Sequence, residues 1–310
     1  MANHVDTLIA SSSRTALRRN EDATVLLLRS AWRFCRRKPL GAMGGLIVLA
    51  LVSMAVFAPW IAHHTYDETI PGARMKPPGA QFWLGTDNLG RDVWSRVVYG
   101  ARVSVTVGFG AVLIANGLAA AIGVTSGYFG GKYDVCVQRV VDACQSFPFL
   151  VVILFVMAVL GPGLLNVVLA LGVLGAANAS RVIRGTTISV VQNVYVESAR
   201  ALGAGHLRIM VRHILPNVVA TLIVLATIGL GAFILAESAL SFLGFGVPPP
   251  YPSWGAMLAG SGRSFFYQAP WMAIYPGLAI SLAVFGFNML GDALRDVLDP
   301  RLRGAAGRPG

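Results

Sequence analysis

"YVESARALGAGHLRIMVRHILPN", residues 195–217, is a basic, helix-forming island set between long apolar runs. Arg200, His206, Arg208, Arg212 and His213 stand there against a single acid, Glu197. Residues 195–204 favour helix, Gly203 and Gly205 interrupt it, and 206–215 resume it. In the second half, Leu207, Met210, Val211 and Ile214 fall on one face at helical spacing, and Arg208 and Arg212 on another. Pro216 suits the first turn of the apolar helix that follows. The pattern predicts helix, turn, helix, lying along a membrane surface.

The flanks supply that membrane. Of 310 residues, 55% are hydrophobic and 13% charged, with mean hydropathy +0.65. A soluble domain of this length carries more charged surface. The apolar residues come in runs of about twenty, the length a helix needs to cross a bilayer. Six spans are read, at about 40–62, 102–125, 146–163, 164–181, 218–243 and 271–293. The third and fourth are joined only by Gly161-Pro162-Gly163 and therefore form a hairpin. The resulting division is a tail 1–39, a first span 40–62, an outer segment 63–101 with an amphipathic elbow, a five-helix core 102–293 and a tail 294–310.

Orientation follows from the basic residues. With the N-terminus inside, the inner segments hold eight Lys/Arg in 1–39, two in 126–145, five in 181–217 and four beyond 293. The outer segments hold six: Arg74, Lys76, Arg91, Arg96, Arg102 and Arg263. That bias places both termini in the cytoplasm and makes the net charge of +11 mostly a topology signal. The tail before the first span is too long for an ordinary signal peptide, so that span is read as an anchor. "VLLLRSAWRFCRRK", residues 25–38, gathers Arg29, Arg33, Arg36 and Arg37 on one face and predicts an interfacial helix. Cys35, Cys136 and Cys144 match no disulfide or zinc pattern and are read as buried small residues.

Motifs for chemistry are missing. "GTDNLGRD", residues 85–92, resembles a phosphate loop only superficially. Arg91 and Asp92 stand where Lys and Ser/Thr are needed, and the carboxylate would repel a nucleotide. It is read instead as a turn leading into a helix in which Asp92 and Arg96 pair at i,i+4. The adjacent His63 and His64 have no further ligands nearby, so no metal site is expected. No nucleophile elbow, zinc-protease motif or paired intramembrane carboxylates occur. Glu237, in or near the end of the fifth span, is a costly charge, read as structural pairing ahead of a pathway role. Asn116, Asn166, Asn178 and Asn288 are read as interhelical hydrogen-bond partners.

The island itself admits three readings. An ordinary basic loop would not need such helical organisation. A DNA-reading helix-turn-helix would be held against lipid by spans at both ends, so nucleic acid is not expected as a partner. A docking element remains, in which Ser198, Ala199, Ala201 and Gly203 permit close approach and Glu197 offers a charged anchor.

Here the sequence resembles a known family. Glu197-Ser198-Ala199, then Gly203-Ala204, then Ile214-Leu215-Pro216, is similar to the EAA loop of permease subunits in binding-protein-dependent ABC importers. Ser198 departs from the pattern's second position, and His213 occupies the place usual for Ile. "WLGTDNLGRDVWSRVVYGARVSVTVG", "SALSFLGFGVPPPYPSWGAML" and "FNMLGDALRDVLDPRLR" look like the C-type permeases of dipeptide, oligopeptide and glutathione importers, over about residues 30–303. The resemblance implies an all-α fold of the type I importer class in the bacterial inner membrane. Its implied partners are a homologous second permease, two cytoplasmic ATPases carrying ATP and magnesium, an extracytoplasmic solute-binding protein and a peptide substrate. The EAA segment would be the helix that sits in an ATPase groove, with Leu215 and Pro216 passing movement into span five. Nickel or another small solute is the alternative cargo, and an ATPase-independent secondary transporter is the rival of another class.

Overall fold

The computed structural model describes Arg36 and residues 38–298. The expected interfacial helix at 25–38 and most of both tails lie outside those residues. Helix α1 spans Pro39–Val56, with its proline at the first turn, where a missing N–H costs nothing. A one-residue break at Phe57 separates it from the short α2, Ala58–Ile61, whose first turn holds Pro59. The span expected at 40–62 is therefore two pieces.

Helix α3 is a single element, Val93–Phe129. Its 37 residues run about 55 Å at 1.5 Å per residue, well beyond the hydrocarbon core. The elbow and the second span expected from the sequence are thus one helix, because no proline or other break lies between them. The Asp92 carboxylate caps the start, accepting from Ser95 N at 3.0 Å and from Ser95 Oγ at 2.6 Å. The expected Asp92–Arg96 ion pair does not form, since Asp92 is committed to Ser95. Gly130, at φ +62°, ends the helix in a backbone conformation that disfavours a Cβ.

Helix α4, Gly131–Gln145, and α5, Phe149–Leu160, meet at a bend of 85° around Pro148. The twelve residues of α5 are too short to cross alone. After the Gly161–Gly163 turn, α6 runs Leu164–Val191, ten residues past the expected end. Asn166 Nδ2 donates to Leu160 O at 2.9 Å, so this asparagine secures the hairpin. Next come α7, Val194–Ala201, and α8, His206–Ile209, which passes through a π turn at Met210–Ile214 into α9, Leu215–Phe242. Helix α10, Trp254–Met257, continues into a second π turn at Leu258–Gly262, and α11 spans Trp271–Leu298. Five elements are long and apolar enough to cross a membrane, and the bent α4–α5 pair makes a sixth if counted as one. The protein is a multi-pass, all-helical membrane protein.

Helix pairs approach through small residues. A Cβ on Gly123 of α3 would stand 2.7 Å from Ser180 O of α6, and one on Gly127 would stand 2.8 Å from Thr187 Cβ. Gly172 of α6 meets Ile114 of α3 in the same way, and Gly44 of α1 meets Gly286 of α11. Asn116 Nδ2 donates across to Leu222 O of α9 at 3.0 Å. Outward faces remain apolar, with Leu113 77% and Phe155 72% exposed, as a lipid-solvated surface requires.

Gly123→Ala should lower stability in detergent by about 1–3 kcal/mol, because backbone rather than a flexible side chain blocks the new methyl. Gly117→Ala, with nothing within 4 Å, should leave the thermal midpoint unchanged or slightly raised. Thermal unfolding of both variants checks the contrast.

Candidate functional site

The island folds as helix, turn, helix. Helix α7 ends in a Schellman motif: Gly203 N donates to Arg200 O and Ala204 N to Ala199 O, both at 3.0 Å. Gly203 sits at φ +81°, with nothing within 4 Å of where a Cβ would be. Its glycine is required by backbone conformation, whereas Gly205, at φ −66°, is an ordinary extended residue before α8.

The π turn changes which residues face inward. The sequence places Leu207, Met210, Val211 and Ile214 together, but Leu207 and Val211 are 71% and 54% exposed. Ile209 and Ile214, five apart, are both fully buried. A π turn takes one more residue than an α turn, which brings positions i and i+5 onto one face. It lies directly before Pro216, which lacks an N–H and whose ring would clash with the carbonyl four residues earlier. Leu215 N instead bonds Met210 O, and Asn217 Nδ2 reaches back to His213 O at 2.7 Å. The same extra residue lets Ile214 reach the core although His213 holds the place usual for Ile.

Val196, Ile209, Ile214 and Val218 join Ile183 of α6 and Val124 of α3 in one apolar cluster. Ala204 and Leu215 pack partly against it. The outer side is different. Glu197 and Ser198 are exposed, Ala199 is half-buried, and Pro216 is exposed. Val194 is 76% and Leu202 88% exposed, so two large apolar side chains stand out beside an acid that has no ion-pair partner among the described residues.

Polar groups that the sequence did not single out brace this end. Asp134 of α4 accepts from Arg184 Nε of α6 at 2.6 Å, and also from Arg184 Nη2 and Ser126 Oγ. The bidentate fork ties three helices together. Tyr128 OH and His206 Nδ1 share a hydrogen bond at 2.8 Å, and the Arg200 guanidinium lies 5.7 Å from the Tyr128 ring. Asp142 pairs with Arg181. These partners are distant in sequence, and an arginine inside an apparent span is their only advance sign. Cys136 and Cys144, read as buried, are exposed on α4, because that helix bends away from the bundle instead of entering it.

Glu237 is fully buried at the far end of α9. Ser241 Oγ donates to its Oε1 at 2.7 Å, with Ser238 Oγ beside it at 3.4 Å. A hypothetical Cβ on Gly246 or Gly255 would collide with Ser241 or Ser238, so the loop after α9 closes over this polar knot. Its partners are hydroxyls, of Ser238 and Ser241 on its own helix and of Ser253 in the loop that follows, with no ion pair to another span among the described residues. Asn178 lines an apolar crevice of about 540 Å³ between α3, α6 and α9, together with Asn116.

Residues 119–304 match the family described as binding-protein-dependent transport system inner membrane component. This chain is a permease of that family. Residues 27–78 also match the N-terminal TM domain of oligopeptide transport permease C. The dipeptide transport system permease protein DppC of Alkalihalophilus pseudofirmus is 40% identical, over 89% of this chain and 90% of its own length. The glutathione transport system permease protein GsiD of Escherichia coli is also 40% identical, over 88% and 90%. Among solved structures, a chain of the MetNI methionine ABC transporter, in an inward-facing crystal form, superposes with TM-score 0.54 at 19% identity. It covers 66% of this chain and 96% of that one, which establishes the shared fold. The permease is thus of the C type found in peptide ABC importers.

Gly203→Ala should raise the free energy of the α7 end by about 1 kcal/mol through φ strain, and Gly205→Ala should not. Hydrogen exchange of the amides of residues 202–206 reads the difference. Asp134→Ala should cost about 2 kcal/mol by leaving the Arg184 guanidinium without its ion pair and the Ser126 hydroxyl without its acceptor in a partly buried site. A lowered thermal midpoint with normal membrane insertion checks it.

Proposed function

We propose that this chain forms half of the translocation path of an ATP-driven peptide importer and takes up work through α7. The observation that carries this reading is the two-sided island. One side is anchored by Val196, Ile209 and Ile214, while the other presents the side chains of Glu197, Ser198 and Leu202 with no partner among the described residues. A helix anchored in a bundle and bare on its outer face is built to meet another protein. Its exposed apolar side chains suit a pocket that excludes water.

In this reading the island end is cytoplasmic, both termini lie inside, and the membrane is the bacterial inner membrane. The basic-residue bias supports that orientation. Partners are a second permease, two ATPases that hold ATP and magnesium, and a solute-binding protein on the other side. The permease itself binds no nucleotide and performs no catalysis. Names of the 40%-identical relatives support dipeptides, oligopeptides or glutathione as cargo. ATP-driven closure of the ATPases would move two α7 helices together, and α8 and α9, continuous through the π turn, would carry the shift into the spans. Coupling of this kind requires different contacts in two global states.

Leu202→Asp should cut ATP-dependent peptide uptake by roughly thirtyfold in proteoliposomes holding the full transporter, and should remove the ATPases on co-purification. Insertion of the permease should be normal. Unchanged uptake would overturn the docking assignment, and peptide transport by this chain alone, driven by an ion gradient, would overturn the reading as a whole.

A further inference from the structure

Two signature stretches, 85–92 and 244–257, lie at the end opposite the island. In the folded chain they face each other across a cleft of about 320 Å³. That volume lies within the roughly 300–1,000 Å³ of small-ligand sites. Arg91, Arg96, Tyr251, Ser261 and Ser264 are in its wall.

Its arginines are held from behind. Asp87 lies behind the arginines with its side chain 3% exposed. Arg91 Nε donates to Asp87 Oδ2 at 2.6 Å, and Arg96 Nε stands 3.8 Å from the same oxygen. The other oxygen, Oδ1, accepts from Leu89 N at 2.8 Å and Arg91 N at 2.9 Å. Asp87 is therefore fully used, one carboxylate against two guanidiniums. Three further charges lie outside the pair. Arg74, which is exposed, donates to Asn88 O at 2.9 Å, exposed Asp67 acts on Arg96, and Asp92 is buried with its Oδ2 bonded to Ser95. These charges balance, so what distinguishes the cleft is the guanidinium edge in its wall.

Free donors accompany it. Arg91 uses its Nε and its backbone N–H on Asp87, and no hydrogen bond engages its Nη pair. Arg96 spends Nη1 on Tyr66 O at 2.8 Å. The hydroxyls of Ser261, on the π turn, and of Ser264 bond nothing among the described residues. Tyr251 closes one wall, stacked on Tyr66 at 5.5 Å. A guanidinium edge with neighbouring hydroxyls matches the geometry of a carboxylate.

We propose that this cleft is a carboxylate-binding subsite that receives the free C-terminus of the peptide before it enters the spans. This rests on the peptide-importer reading above. A terminal carboxylate on a slender chain fits the recess better than a folded partner does, because the Arg91 and Arg96 side chains are only 18% and 10% exposed. Specificity for a free terminus would then belong partly to the permease.

The test uses the full transporter with its own binding protein, supplied saturated either with alanylalanine or with the C-terminal amide of that dipeptide. Wild type should import the acid roughly tenfold faster than the amide, the worth of a charge-assisted hydrogen bond. Arg91→Lys keeps a cation for Asp87 but removes the free guanidinium edge. It should slow the acid, spare the amide and collapse the ratio. Ser261→Ala should do so in part, and Tyr267→Phe, on the same loop but outside the cleft, should not. Without any transport, alanylalanine and not its amide should protect Arg91 from phenylglyoxal, read by mass spectrometry. Protection without import of either peptide would remove the peptide-importer reading and leave the subsite standing. Import with an unchanged acid-to-amide ratio in Arg91→Lys and no protection would overturn the subsite alone. Weakened docking of the binding protein in Arg91→Lys, with both peptides slowed equally, would also overturn it and make the cleft a protein contact.

Discussion

Backbone-to-backbone approach between helices is the constraint on which the rest of this structure depends. In lipid, apolar side chains gain nothing by leaving the solvent, so helices associate through close packing and hydrogen bonds. The α3–α6 pair does this through Gly110, Gly123, Gly127 and Gly172, each placed where a Cβ would strike the partner helix. That contact runs nearly the length of the bundle. It brings the ends of α3 and α6 beside the island and, at the other end, presents the start of α3 to the loop after α9.

Each end of that pair is then finished by polar groups suited to water rather than lipid. At the island end the Asp134–Arg184 fork and the Tyr128–His206 bond brace the surface from which α7 projects. At the other end buried Asp87 organises the turn before α3, while Trp254 Nε1 donates to Val97 O at 2.9 Å and Trp271 Nε1 to Thr86 O at 3.1 Å. Stiff ends on a closely packed pair suit the rigid-body movement proposed above, because a displacement applied at α7 would not be absorbed locally. The π turn at Met210–Ile214 joins α8 to α9, and π turns recur at functional positions.

Much of the candidate site was legible before folding. Helix, turn and helix across 195–217 followed from helix formers, two glycines and Pro216. The inward face of α8 did not. Its residues repeat as an α-helix on paper, and only the carbonyl freed by Pro216 tells that the turn widens and puts Ile209 with Ile214. The ion pairs were equally hidden. Asp92 and Arg96 have the spacing of a helical pair, yet Asp92 precedes the first turn and its Oδ2 takes both bonds from Ser95, while Arg96 turns to Asp87 and Tyr66.

By itself the sequence determined that this is a multi-pass helical protein, where a basic segment interrupts the spans, and that phosphate-binding and catalytic motifs are missing. These are local properties: apolar run length, charge distribution, turn residues and spacing within one turn of helix. Tertiary structure alone decided that the loop after α9 closes over Glu237, that the Asp134–Arg184 fork braces the island end, and that the two outer signatures enclose a cleft. Each of those depends on residues far apart in the chain being pressed together. No periodicity reports which distant surface a side chain will meet.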